Sequence, residues 1–413
     1  VNHNLKNVFD VIIVGGGLVG ASLAIGLSGR GLKIALIEAH SFRRSDQPSY
    51  DDRTLALSRA SCGIFEKIGL WSELSQAVTP IHNVHVSNRG FWGFTRIKSA
   101  ELGVENLGHV AEARVIGQAV LNRLSVSDDI EVICPATAIA VEQNQQRAMV
   151  TIHSEGVSQT LQASLVLAAD GADSKLRELL SIPAQQHDYE QTAIIANVTP
   201  GNLHQNCAYE RFTDSGPLAI LPHTGQRCGM VWITRNPNLQ GLLDLDDNQF
   251  LAQLQQRFGY RLGHFKRLGR RSSYPLKLSW VSRQYSGRVL LIGNAAHAIH
   301  PVAAQGFNLG LRDVAVLIEL INQAQSLQLD LGSETLMQSY LKARLPDQQN
   351  IVRFTDGLAR MFSHESSFVA TGRNLAMLAL DLIPGLKAGL AKTAMGYAVE
   401  KPVLDLPETD VSV

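Results

Sequence analysis

The sequence predicts an α/β protein, α+β overall: a βαβ domain built from discontinuous segments, an inserted mixed β-sheet domain and a helical C-terminus. Three observations predict it. The first forty residues read as strand, glycine turn, helix and strand. Two later apolar runs, Leu161 to Ala169 and Val289 to Ile292, repeat the buried-strand pattern of the first. Between them the texture changes, from about Gln191 to Ser282, to short apolar or alternating runs broken by Pro, Gly and Asn, which suits a mixed or antiparallel sheet.

Taken in order, Val8 to Val14 is apolar enough to be buried on both faces, as a parallel strand is. Leu18 to Ser28 reads as a helix and Lys33 to Glu38 as a second strand. A polar, irregular stretch follows from Ser41 to Arg53, then helices around Ser58 to Gly69 and Glu112 to Leu124. The strand Leu161 to Ala169 ends in Asp170-Gly171. Ile194 to Val198, Leu218 to Leu221 and Gly229 to Thr234 are strands of the inserted sheet. After Val289 to Ile292 comes Gly293 and, past Gln305-Gly306, a long helix through Ala324; from Glu334 the chain is mainly helical. The expected division is 1–78, 106–183 and 283–350 for the first domain, 79–105 and 184–282 for the inserted one, and 351–413 for the helical end.

Of the 413 residues 45% are hydrophobic and 18% charged, enough apolar material for cores in two or three domains. The 37 basic and 37 acidic residues cancel, which removes any broad electrostatic case for nucleic acid or an anionic membrane. Cys62, Cys134, Cys207 and Cys228 form no CxxC pair and read as buried, reduced thiols, not as disulfides or a metal site. Val1 to Asp10 lacks a signal-peptide pattern, and no run reaches the ~20 apolar residues of a membrane span. Leu375 to Val399 comes nearest but is broken by Asp381, Pro384, Lys387 and Lys392, so the expectation is a soluble, cytoplasmic protein.

Gly15, Gly17 and Gly20 satisfy GxGxxG between a strand and a helix, and the second strand ends at Glu38. In such a Rossmann-like unit the first glycine permits the turn, the second admits a pyrophosphate to the backbone, and the third lets helix and strand pack closely. The helix N-terminus offers free N–H groups to phosphate. Glu38 can accept hydrogen bonds from ribose hydroxyls and repels a ribose phosphate, which favours an adenosine diphosphate group and disfavours NADP here. FAD and NAD are not separated by this motif alone.

Asp170-Gly171, read alone, is an ordinary turn. The run Val289 to Asp313, VLLIGNAAHAIHPVAAQGFNLGLRD, places a second helix N-terminus downstream of a strand end. Together these motifs resemble the single-component FAD-dependent aromatic hydroxylases of the para-hydroxybenzoate hydroxylase type and, within them, the ubiquinone-biosynthesis hydroxylases. The resemblance covers nearly the whole length. It rests on the Gly15 to Glu38 unit, Asp51-Asp52-Arg53 with Ala56-Leu57, Arg114 heading a helix, Ala169-Asp170-Gly171, and Gly293 to Asp313. Glu210-Arg211-Phe212-Thr213, Gly216 to Ala219, Ser273 to Leu276 and Gly293 to Ala296 resemble the 2-octaprenyl-6-methoxyphenol hydroxylase branch. Asn294 stands where the family usually has aspartate, and Ala304 where a glycine is common.

The resemblance implies bound FAD, NAD(P)H as a transient co-substrate, and hydroxylation of a prenylated phenol by dioxygen through a flavin hydroperoxide. It implies cofactor contacts at Gly15, Gly17, Gly20, Glu38, Arg53, Arg114, Asp170, Gly293, Asn294, Gly306, Phe307 and Asn308, with Pro301 and Gln305 in the loop facing the reacting oxygen. Backbone donors at Gly306 to Asn308 suit the negative charge of reduced flavin. His297 and His300, at HxxH spacing, lack a third ligand and are expected to orient a loop or contact substrate, not to hold a metal. No side chain stands out as an acid or base. Leu375 to Tyr397 is either an apolar surface for peripheral contact with membrane or a biosynthetic partner, or a helix covering the core. Two rivals remain: another flavin dehydrogenase or reductase on this scaffold, and a flavin-binding assembly subunit.

Overall fold

The computed structural model describes residues 7–42, 51–90, 93–213, 216–300 and 304–363, with Gly389, Lys392, Met395 and Gly396. The first sheet runs Val289–Leu291, Val157–Ala168, Val8–Val14, Ile34–Ile37 and Ile130–Ile133, all parallel, with Tyr285–Ser286 antiparallel at one edge. Val11 to Val14 and Ile34 to Ile37 are buried, because apolar layers cover both faces. On one face the helices Leu18–Leu27, Ala113–Ser125 and Gln305–Ser326 pack as one cluster. On the other, the antiparallel pair Thr137–Gln143 and Ala148–Ser154 extends from the outer half of Val157–Ala168.

The second sheet is drawn from three regions. Asn83–Asn88 and Phe94–Lys98 join Gln185–Thr199, Cys207–Thr213, Gly216–Pro222, Cys228–Arg235 and Ser272–Trp280, and His297–Ala298 adds to the far edge. Its outer face is closed by Asn236–Leu243 and Asp247–Phe258, which bury Trp232 against Phe250, Leu254 and Phe258. These two helices add to the sheet expected over 191–282. A small sheet, Thr54–Ser58 with Gly108–Glu112 and Thr79–Pro80, lies between the two larger ones. Thr54 is seated against Gly229 of the second sheet: a Cβ there would come within 2.2 Å of its Oγ1.

The four cysteines are free, but only Cys62 and Cys228 are buried; Cys134 and Cys207 are partly exposed, lying on a loop and at a strand end. No described helix is long and apolar enough to cross a membrane. Of the segment 375–397 most lies outside the described residues. Met395 is buried among Ile81, Ile97, Leu107, Val110, Ala208 and Leu221, so at that point the segment covers a core.

Candidate active site

The first turn is built by exclusion of side chains. Gly15 sits at φ +106°, and a Cβ on it would lie 2.4 Å from the Ala169 carbonyl oxygen. A Cβ on Gly20 would lie 2.0 Å from the Gly15 carbonyl oxygen, so Gly20 sets how closely helix and turn approach. Gly17 is the N-cap, with no side-chain cap and no acidic residue in the first turn of the helix. The buried Glu38 takes the Gly16 N–H on Oε2 at 2.6 Å and the His40 N–H on Oε1 at 2.7 Å. A carboxylate has about four acceptor positions, so two stay available for ribose hydroxyls.

The second helix N-terminus is brought beside the first. Val19, the second residue of Leu18–Leu27, fills the space over Gly293 and Gly310; Cβ atoms on those glycines would stand 3.2 and 2.8 Å from it. Gln305–Ser326 also begins without a side-chain cap at Ala304 and without an acidic residue in its first turn, so its positive end is not offset locally and suits an anionic group. Its N-cap, Ala304, is at φ +50°. Gln305 is buried, and Gly306 has space above it out to Ile299. Phe307 packs on Phe65. The Asn308 side chain is committed to the protein: Oδ1 accepts from Ser58 N–H (2.8 Å) and Ser61 Oγ (2.7 Å), and Nδ2 donates to the Ala56 and Ala304 carbonyls (2.9 and 2.8 Å). Only its backbone is left to face a cofactor. Pro301 lies outside the described residues.

Behind the Gly293 turn is a buried charge network that sequence reading missed. Asp313 accepts from the Gly293 N–H (3.1 Å) and His297 Nε2 (2.6 Å) on one oxygen, and from Arg344 (2.8 Å) and Gln348 (3.0 Å) on the other. Burial opposes its charge, but His297 and Arg344 outweigh that and hold its carboxyl well below the usual range. Arg344 and Arg312 both bond Asp347 at 2.7 Å. His297 is therefore a loop-orienting residue. His300 stands 3.3 Å from Gln191 Oε1 and edge-on to Tyr189; burial, outweighing Asp356, pushes its ring down to about 4. Asn294 is exposed at the turn.

The remaining candidates link segments. Arg53 pairs with Asp51, whose other contact is Tyr274 Oη at 2.8 Å, and the guanidinium lies over the Tyr274 ring. Arg114 bonds Asp52 (3.0 Å) and Glu112. Burial alone would raise the Glu112 carboxyl, but the His223 hydrogen bond and the charges of His223, Arg114 and Arg227 bring it below its ordinary value. Asp170 accepts from Ser174 Oγ (2.5 Å) and the Leu176 N–H (3.1 Å); burial outweighs those bonds and raises its carboxyl. Arg177, which sequence reading also missed, ties this turn to the Gly293 turn through the Ala172 and Ala295 carbonyls. Its only signal was a basic residue in a short, charged helix just after the Asp170-Gly171 turn.

The model of the FAD binding domain family matches residues 8–355. A ubiquinone hydroxylase, UbiL, of Rhodospirillum rubrum is 38% identical over 96% of this chain and 91% of its own. The 3-demethoxyubiquinol 3-hydroxylase of Escherichia coli K12 is 29% identical over 94% and 98%. The crystal structure of p-nitrophenol 4-monooxygenase PnpA from Pseudomonas putida superposes with a TM-score of 0.79 over 95% of this chain and 99% of that one; at 16% identity it speaks for the fold. The chain belongs to the FAD-binding-domain family, among the ubiquinone hydroxylases. It is an FAD-dependent hydroxylase, and the glycine cradle, the free acceptors of Glu38 and the two uncapped helix ends fit that cofactor.

Proposed function

We propose that the chain hydroxylates the ring of a prenylated (methoxy)phenol in ubiquinone biosynthesis, with NAD(P)H and dioxygen as co-substrates. The observation that carries this reading is the convergence of two uncapped helix N-termini at Val19, Gly293 and Gly310. The first helix end would hold the phosphates of a bound dinucleotide, and the second would offer its N–H groups to negative charge on the ring. The names of the relatives support the substrate class.

FAD, when bound, supplies the electron transfer and the activation of dioxygen. The chain's residues do the rest. Gly15, Gly17 and Gly20 admit the pyrophosphate, and Glu38 holds the ribose. The N–H groups of Gly306, Phe307 and Asn308 stabilise negative charge on the reduced ring. Arg53, Arg114, Asp170, Gly293 and Asn294 would line the cofactor's course, and Pro301 and Gln305 would act geometrically and electrostatically in the loop facing the reacting oxygen. The inserted sheet, from 79–105 and 184–282, receives the phenol, and the segments 1–78, 106–183 and 283–350 receive FAD. Contact of the 375–397 segment with a membrane or a biosynthetic partner is the route by which a lipid-borne phenol reaches the site; Met395 bounds it on the inner side.

Purified holoenzyme supplied with a short-chain prenylphenol, NADH or NADPH, and ¹⁸O₂ should yield a catechol-type product carrying one labelled oxygen. A product without label, or a reduced prenyl chain instead, would sink the hydroxylase reading in favour of a reductase on this scaffold.

A further inference from the structure

The inner face of the second sheet carries a depression with one carboxylate in it. Along Cys207–Thr213 side chains alternate: Tyr209 packs outward on Phe258, and Arg211 reaches outward to the Arg257 carbonyl. Glu210, between them, faces inward. The ladder is regular here, and across it Glu210 is level with Val86, Ala219, Val231 and Ile195. Every member of that row is partly exposed. One row away, Ala208, Leu221 and Gly229 are buried under the small sheet; one row the other way, Phe212, Pro217, Ile233 and Ala193 are buried too. The row is thus a trench across a covered face. Across these five strands the other members, Val86, Ala219, Val231 and Ile195, are apolar, and Glu210 is the one ionisable group among them.

The trench adjoins the cofactor site. The Thr54–Ser58 strand lies on the neighbouring row, with Thr54 on Gly229 and Ala56 against Ala208 and Leu221. The same strand is fastened to the N-terminus of Gln305–Ser326 by Asn308. Glu210 makes no hydrogen bond or ion pair with any described residue, although Arg211 beside it has two hydrogen-bond partners. A carboxylate left unpartnered in an apolar recess is costly unless a ligand supplies the donor. Burial pushes its carboxyl up to about 7, in keeping with the absence of an ion pair to it among the described residues.

We infer that Glu210 is the substrate-recognition carboxylate: it accepts the hydrogen bond of the phenol hydroxyl, and the apolar row seats the ring beside it. This rests on the phenol-hydroxylase reading and goes past it, by naming the group that fixes which ring carbon faces the cofactor. A hydroxyl-bearing ring satisfies Glu210; its methyl ether has no proton to donate and leaves the carboxylate against an apolar ring without a partner, the arrangement that gives rejection.

The test is calorimetric titration of the holoenzyme with a short-chain prenylphenol and with its O-methyl ether. The wild type should prefer the phenol at least about tenfold, as expected for one charged hydrogen bond. Glu210→Gln, which keeps shape and loses charge, and Glu210→Leu should bring the two affinities within about twofold with flavin content unchanged. A preference that survives both substitutions overturns the role of Glu210 while leaving the hydroxylase reading intact. A wild type that binds neither compound, yet is reduced by NAD(P)H, overturns the phenol reading itself and this inference with it. A second readout guards against mere misfolding: turnover of Glu210→Gln should shift from labelled product to hydrogen peroxide at similar NAD(P)H consumption, and a variant still fully coupled would contradict the proposal.

Discussion

Ala304 holds a left-handed backbone at φ +50°, a conformation that costs an L-residue about 1–2 kcal/mol and glycine nothing. Ala304→Gly should therefore raise stability by up to about 1 kcal/mol after glycine's own entropy is counted, read as a higher melting temperature with flavin bound. An unchanged or lower melting point would show that the helix start is not strained. His300 gives a pH signature. Its folded-state pKa of about 4 lies below the ordinary 6.5, so the unfolded chain binds the extra proton between those values. Its contribution is complete above about 6.5 and is lost as pH falls through 4, on the order of 3 kcal/mol in all. His300→Gln should flatten the stability profile between pH 6.5 and 4, measured by denaturant titration. At this scale the sequence was eloquent where backbone geometry decides: Gly15, Gly20 and the odd alanine at 304 were legible because nothing else fits a turn. It was silent on Glu210, Asp313 and Arg177, whose meaning depends on what lies across space from them.

Among the elements, the helix Gln305–Ser326 is fixed at its start by a side chain that acts as a clasp. Asn308 satisfies the Ser58 N–H and the Ala56 carbonyl, and both are inside the protein. Asn308→Ala should cost about 2–4 kcal/mol, because both groups then lack partners, and should loosen FAD, seen as lower flavin absorbance per chain after gel filtration. Retention of full flavin content at normal stability would assign the clasp no role. The central strands of the first sheet were readable because they are apolar on both faces; its edge strand Ile130–Ile133, interrupted by Glu131, was not read. The helices Asn236–Leu243 and Asp247–Phe258 were passed over, although Asp246 with Gln249 is a capping box spelled out in the sequence, with reciprocal bonds of 2.8 and 3.3 Å. The surrounding alternation drew the reading toward strands, since short apolar runs do not distinguish the two periods.

At the scale of the whole molecule, the network of Arg312, Asp313, Arg344 and Asp347 joins the helix Glu334–Ser363 to the Gly293 turn. Removing one member strands opposite charges in an apolar interior. Arg344→Met should cost about 3–5 kcal/mol, and the double variant that also carries Asp313→Asn should recover part of it. Equal losses in the double and single variants would mean that the charges are not coupled. Such links were illegible because residues twenty to fifty positions apart meet only once the sheet exists.

The sheet itself sets a schedule. Val166 to Ala168 pair with Ile12 to Val14 on one side as soon as both are made, but their other edge is closed by Val289–Leu291. At ~5–20 residues per second of synthesis, that edge stays open for on the order of ten seconds. During that interval the intervening 185–280 sheet must form without adding its own strands to it. The discontinuous domain thus makes this protein dependent on the order in which its parts leave the ribosome, and gives a chaperone a defined strand edge to guard.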